Sequence, residues 1–209
     1  MKQAFSNMLE MQDRMNQKVH PDWINQNYEW YRAIWVECGE LLDHYGYKWW
    51  KKQQPDMNQV NLEVIDIWHF GMSALFAPDK TRDELAQQIE NEVDSYHHPV
   101  TRDVREATEN LAEDCLRRKG FSVAKFWDLL NAVDMNFDEL YRQYVGKNVL
   151  NFFRQDNGYK TGTYIKVWHG REDNEHLVDI LDELNAQSSS FPDDVYAGLA
   201  ERYQSVIRN

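Results

Sequence analysis

Apolar residues recur at three- and four-residue steps along nearly the whole chain, and no other feature restricts its fold so tightly. Between residues 28 and 45, Tyr31, Ile34, Trp35, Cys38, Leu41 and Leu42 form one stripe that Gly46 ends. Between residues 56 and 76, Val60, Val64, Ile67, Gly71 and Leu75 form another, bracketed by Pro55 and Pro78. Strict alternation, the mark of half-buried strands, is almost absent. The pattern predicts an all-α protein, a helical bundle.

Capping signals set further boundaries. Thr81 with Glu84 three residues on makes a capping box that opens a helix running towards His98, where Pro99 stops it. Helices are expected over residues 101–119, 122–134 and 136–155, the last opened by Asn136 and Glu139. From Gly158 to Gly170 the texture changes to GYKTGTYIKVWHG, a loop with room for a short hairpin. Two helices near residues 174–184 and 193–207, separated by NAQSSSFP, close the chain. A length of 209 residues with 42% hydrophobic content suits one domain, 1–209, with one substantial core.

The formal charge of −12 opposes generic adhesion to nucleic acid or to anionic membrane, because both need a basic surface. No run approaches the ~18 consecutive apolar residues of a membrane span, and the N-terminal residues lack a signal-peptide core. Cys38 and Cys115 form no CxxC pair. A soluble protein of the reducing cytoplasm is expected.

Against that background residues 62–70, LEVIDIWHF, present a problem, since Glu63 and Asp66 sit among side chains that want burial. A buried carboxylate is costly unless it is paired, hydrogen-bonded or metal-bound. Residues three apart share a helix face, so these two point the same way. ECGE repeats the arrangement with Glu37 and Glu40 one helix earlier. An antiparallel hairpin about GYKWWKKQQP would set Glu40 against Glu63 and Glu37 against Asp66, converging four carboxylates on one patch.

Two such charges ~4 Å apart repel by roughly 4 kcal/mol at an effective dielectric near 20, and divalent cations resolve the conflict. All-oxygen ligation with only His69 nearby suits Mg²⁺ or Mn²⁺ rather than zinc, and Mg²⁺ commonly shares its shell with substrate phosphates. A single ExxE is ordinary on a solvated helix face; two pairs brought level favour the metal reading. Residues 146–171 add Lys147, Arg154, Lys160, Lys166 and Arg171 against Asp156 alone. That local excess suits polyphosphate oxygens, although scattered cations on a surface loop are also ordinary.

The stretch AIWVECGELLDHYGYKWWKKQQPDMNQVNLEVIDIWHF, followed much later by YVGKNVLNFFRQDNGYKTGTYIKVWHGREDN, resembles the dimeric, all-α dUTPases of the all-α NTP pyrophosphatase superfamily. The likeness is dense over residues 5–76 and 137–184 and weak over 78–136. It implies Mg²⁺-dependent hydrolysis of a deoxyuridine nucleotide, dUTP and also dUDP, to dUMP by a metal-activated water, in a homodimer.

By position, the resemblance gives Glu37, Glu40, Glu63 and Asp66 the metals, with Glu40 as the base for the attacking water and Asn151 completing the metal environment. Lys147, Arg154, Tyr159 and Lys166 would contact phosphates, and Asp173 and Asn174 would help close the pocket. Gln12 and Asn16 would read the uracil edge, with Trp50 and His69 flanking base and sugar. The adjacent Trp49 competes for the tryptophan role, and Trp68 suits the core. Alternatives are a dCTP-preferring or broad-specificity NTP pyrophosphatase, and a non-catalytic helical binding protein whose acidic patch faces solvent or a partner.

Overall fold

Side chains that cap the first exposed backbone N–H groups determine where most helices begin. Asp56 Oδ1 accepts from Gln59 N, Asp103 Oδ1 from Glu106 N, Ser122 Oγ from Lys125 N and Asn136 Oδ1 from Glu139 N. At the Thr81 box, Thr81 N donates to Glu84 Oε2 at 2.8 Å and Glu84 N donates back to Thr81 Oγ1 at 3.3 Å.

The computed structural model describes residues 1–186, 188 and 190–207. Gln187 and Ser189 of the NAQSSSFP linker lie outside the described residues. The chain divides into two units, Met1–Leu140 and Tyr141–Asn209. The first contains α1 (Lys2–Val19), α2 (Trp30–Tyr45), α3 (Met57–Leu75), α4 (Arg82–Asp94), α5 (Val104–Arg118) and α6 (Val123–Ala132). Helix α7 (Phe137–Asp156) starts at the end of the first unit and continues as the opening of the second. The second unit continues with β1 (Val167–Trp168), β2 (Arg171–Glu172), α8 (Asp173–Glu183) and α9 (Phe191–Ile207). The expected all-α class is observed, and no helix among the described residues is long and apolar enough to cross a membrane.

In the first unit α2 packs along α3 and α5, α1 along α4, and α6 against α5, α4 and α3. The α2–α3 turn is tied at both ends: Asp56 N donates to His44 O at 3.0 Å, and Arg105 of α5 donates from Nε to Gly46 O at 2.7 Å. Trp68 of α3 is fully buried, with the rings of Phe5, Phe121, Phe126 and Trp127 at centroid distances of 6.3, 6.0, 4.8 and 5.9 Å. It is core, as its position on the stripe suggests.

Gly71, one of the core-face positions of α3, has a sharper role. A Cβ there would fall 2.5 Å from Phe121 Cζ, so only glycine lets the Phe121 ring reach the helix backbone. Gly71→Ala is expected to cost ~1–3 kcal/mol through this overpacking. A melting temperature equal to that of the parent protein would contradict it.

Two local expectations change. Trp35 lies on the predicted stripe yet is largely exposed, because α2 buries a narrower face centred on Ile34, Cys38 and Leu41. Helix α4 ends at Asp94, short of His98. Beyond it Asp128 on α6, a buried carboxylate, accepts from Tyr96 Oη at 2.7 Å and from Val100 N at 2.9 Å.

In the second unit the loop does contain a short hairpin, with Val167 paired to Glu172 and Trp168 to Arg171. Its turn is made by His169 and Gly170, both at positive φ, of 49° and 84°. Behind it Trp168, Tyr164, Tyr203 and Phe153 pack ring against ring, Tyr164 stacking on Tyr203 at 5.2 Å.

Candidate active site

The apolar positions of α3 face the core, and that orientation turns Glu63 and Asp66 towards α2. The two helices run antiparallel, so Glu37 meets Glu63 and Asp66, and His44, two turns further along α2, lies with Nε2 3.5 Å from Glu63 Oε1. Carboxylate oxygens of Glu37, Glu63 and Asp66 all lie within 4.8 Å of one another. Glu40 is exposed and stands outside that group, although its charge acts on Glu37. Three of the four expected carboxylates thus converge, with the fourth at the rim.

The electrostatic strain falls on Glu37. Burial, the charge of Asp66, and the hydrogen bond and charge of Glu63 together push its carboxyl up to about 8. In the metal-free protein at neutral pH it therefore keeps its proton and donates it to Glu63. An all-oxygen donor set under such repulsion fits a hard divalent cation, which would neutralise the group and claim the protonated oxygen. Neighbouring Cys38 and Cys115 are free but buried thiols; burial pushes Cys115 up to about 11 and Cys38 higher, so neither supplies a thiolate at neutral pH.

Further along the same face of α3 is a second polar group, contributed by α1 and α3. Gln12 and Asn16 are both buried, as is His69. Gln12 Oε1 is 2.7 Å from His69 Nδ1, and Gln12 Nε2 donates to Asn16 Oδ1 at 3.3 Å. Ser73, one turn past His69, accepts from both Gln12 Nε2 and Asn16 Nδ2 at 2.9 Å. Trp50 stands in a different setting, 60% exposed in the α2–α3 turn, with its ring edge-on to Trp49 and Tyr47.

The second unit gathers most of the expected phosphate residues into one cluster. Asp173 is fully buried and holds Arg154 by two bonds, from Nε and Nη2, each 2.8 Å. Asn174 Oδ1 accepts from Arg154 Nη2 and from the buried Lys147 Nζ, both at 3.3 Å, and Asn151 Oδ1 accepts from Arg154 Nη1 at 3.3 Å. Burial pushes the Asp173 carboxyl up, but Arg154, the Tyr164 hydroxyl and the Asn174 N–H outweigh it and hold it below the usual carboxylate range. Tyr159 and Lys166 are exposed; Lys166 pairs with Glu172 at 2.9 Å.

Three residues of these groups carried no role in the sequence reading. His44 lies seven residues after Glu37, and Ser73 seven after Asp66, so helical spacing already placed each on the same face as a carboxylate. Tyr164, which donates to Asp173 at 2.8 Å, sits in an irregular loop where no spacing rule applies.

Paired antiparallel helices in an all-α chain thus bring together three carboxylates that could hold a divalent cation. Residues 4–159 match the dUTPase family, through the middle segment that resembled it least and ending before Lys166, Asp173 and Asn174. The chain belongs to the dUTPase family, in its all-α type, and is a dUTP diphosphatase. No curated protein matches it.

Proposed function

We propose that the chain hydrolyses dUTP, and dUDP as well, to dUMP in the presence of Mg²⁺, acting as a cytoplasmic homodimer whose whole length, 1–209, is one catalytic domain. The observation that carries this reading is the order of groups along α3. Glu63 and Asp66 form the carboxylate group with Glu37, and His69 and Ser73, one and two turns beyond Asp66, join Gln12 and Asn16. Seven helical residues span ~10 Å, which suits a nucleotide with its polyphosphate at one end and its base at the other.

Glu37, Glu40, Glu63 and Asp66 are the residues that would hold Mg²⁺, or Mn²⁺ in its place, with Asn151 contributing to the metal and phosphate environment. Bound there, the metal supplies charge neutralisation and a more acidic water. Glu40, exposed at the rim, orients the attacking water and takes its proton. Release of dUMP from dUTP cleaves the phosphoanhydride link between the α- and β-phosphates, and negative charge grows on the leaving phosphate oxygens. Lys147, Arg154, Tyr159 and Lys166 donate to those oxygens, while Asp173 and Asn174 keep Arg154 and Lys147 in position. Gln12 and Asn16 read the uracil edge, with His69 and Trp50 beside base and sugar.

The test is a panel of dNTPs and dUDP assayed across a Mg²⁺ titration, with light scattering for the dimer. Preference for dUTP and dUDP is expected, and equal turnover of every dNTP would overturn the specificity. Glu40→Gln is expected to lower kcat by ~10²–10⁴-fold with the melting temperature unchanged. Retained turnover would remove Glu40 as the base.

A further inference from the structure

A carboxamide is nearly symmetric in shape, so the walls of a pocket cannot tell its oxygen from its nitrogen; only hydrogen-bond partners can. Any base-reading role of Gln12 and Asn16 therefore requires a neighbour that forbids the flipped state. We infer that Ser73 is that neighbour: a positioning residue that fixes the donor–acceptor polarity of the Gln12–Asn16 pair, and through it the choice of a 4-oxo over a 4-amino pyrimidine. The inference rests on the uracil-reading role proposed above.

The hydrogen-bond inventory is what makes Ser73 decisive. A serine hydroxyl offers one proton and two lone pairs. The proton goes to His69 O, one turn back on α3, at 3.0 Å. Only acceptor capacity remains, and both amides turn their NH₂ groups towards it, Gln12 Nε2 and Asn16 Nδ2 each at 2.9 Å. Flipping either amide would set its oxygen against this hydroxyl, which could meet it only by turning its proton away from His69 O. Ser73 is buried, as are both amides, so water does not relieve that mismatch.

The fixed polarity extends from there. With Nε2 on Ser73, Gln12 presents Oε1 to His69 Nδ1 at 2.7 Å, so the proton of that contact resides on the imidazole. The second Nε2 proton goes to Asn16 Oδ1 at 3.3 Å. One hydroxyl thus dictates the orientation of two amides and a ring. Uracil offers an N3–H donor beside its 4-oxo acceptor, whereas cytosine offers an N3 acceptor beside its 4-amino donor. The two bases are complementary to opposite settings of the same amides, so loss of the setting weakens the hold on uracil and removes the discrimination.

The experiment compares kcat/KM for dUTP and dCTP in the parent protein and in Ser73→Ala, Ser73→Cys and Ser73→Thr, with Mn²⁺ affinity measured calorimetrically alongside. Ser73→Ala is expected to reduce the dUTP-to-dCTP ratio by at least about tenfold, mainly through KM for dUTP, with Mn²⁺ affinity unchanged. Ser73→Cys, which keeps the volume but weakens both acceptor bonds, should move the ratio the same way, and Ser73→Thr, which keeps the hydroxyl, should restore it. An unchanged ratio in the alanine variant overturns the inference, and so does an unchanged ratio in the cysteine variant if the alanine variant does not fold. A parent protein that already lacks preference for dUTP overturns the uracil reading itself, a different outcome from a parent with preference and variants that keep it.

Discussion

Replacing Glu37 with glutamine is expected to lower dUTP turnover by about 10³-fold, roughly 4 kcal/mol of transition-state stabilisation, while leaving the metal-free protein as stable as its parent at pH 5. The two halves of the result have one cause. Glu37 has a carboxyl raised to about 8 by burial and by Asp66 and Glu63, so in the metal-free protein at pH 5 it is already neutral and glutamine is a close copy of it. What glutamine does not copy is the ability to lose the proton when a cation arrives.

The pH dependence separates this account from a merely structural one. Between the ordinary value of 4.5 and the raised value near 8, the folded protein retains a proton that the unfolded chain has released. The stabilisation linked to that proton is fully present below 4.5 and is lost as the pH rises through about 8. Melting temperatures in EDTA should therefore fall from pH 5 to pH 8.5 more steeply for the parent than for Glu37→Gln. Added Mg²⁺ or Mn²⁺ should recover the parent at pH 8, by ~2.7 kcal/mol at a hundredfold excess over its Kd, and leave the variant where it was. Parallel curves in EDTA, or equal recovery by the cation, would show that Glu37 is not the group that couples proton to metal.

How much of this was visible in the residues depends on whether the relevant partner is near in sequence. The stripes and caps of α2 to α7 are local, and the two carboxylate pairs announce themselves because Glu63 and Asp66 interrupt an apolar run. Only three of the four expected carboxylates converge, and the spacing does not show which, since Glu37 and Glu40 are three apart just as Glu63 and Asp66 are. The early end of α4 was not legible, and neither was the bond beyond it from Tyr96 to Asp128, 32 residues further on. Ser73 was missed for another reason. Its spacing sets it on the face of Asp66, but a single small polar residue signals no role until α1 brings Gln12 and Asn16 across to it. The same is true of Arg154, read as a phosphate contact from the local excess of positive charge and from the family resemblance, which bonds an acid 19 residues away.

That partnership is the basis of the second large effect. Asp173→Ala is expected to destabilise the protein by ~3–5 kcal/mol, the cost of leaving one member of a buried ion pair without its counter-charge. Asp173 is fully buried, the Arg154 side chain is nearly so, and two parallel 2.8 Å bonds join them. The Tyr164 hydroxyl loses its acceptor in the same variant. Hydrogen exchange should show the loss concentrated in residues 141–209, the unit that contains all three residues. Acid should act in the same direction: because the Asp173 carboxyl is held below its ordinary value of 3.8, its stabilisation is present above that pH and disappears as the pH falls through the lowered value. The double variant Asp173→Leu with Arg154→Met, which removes both charges together, should be markedly more stable than the sum of the single losses. Additive losses would mean that the pair is incidental. Strong coupling would instead identify Asp173 as the group that holds Arg154 in its orientation, and full turnover in a folded Asp173→Asn variant would in turn deny that this orientation matters to the reaction.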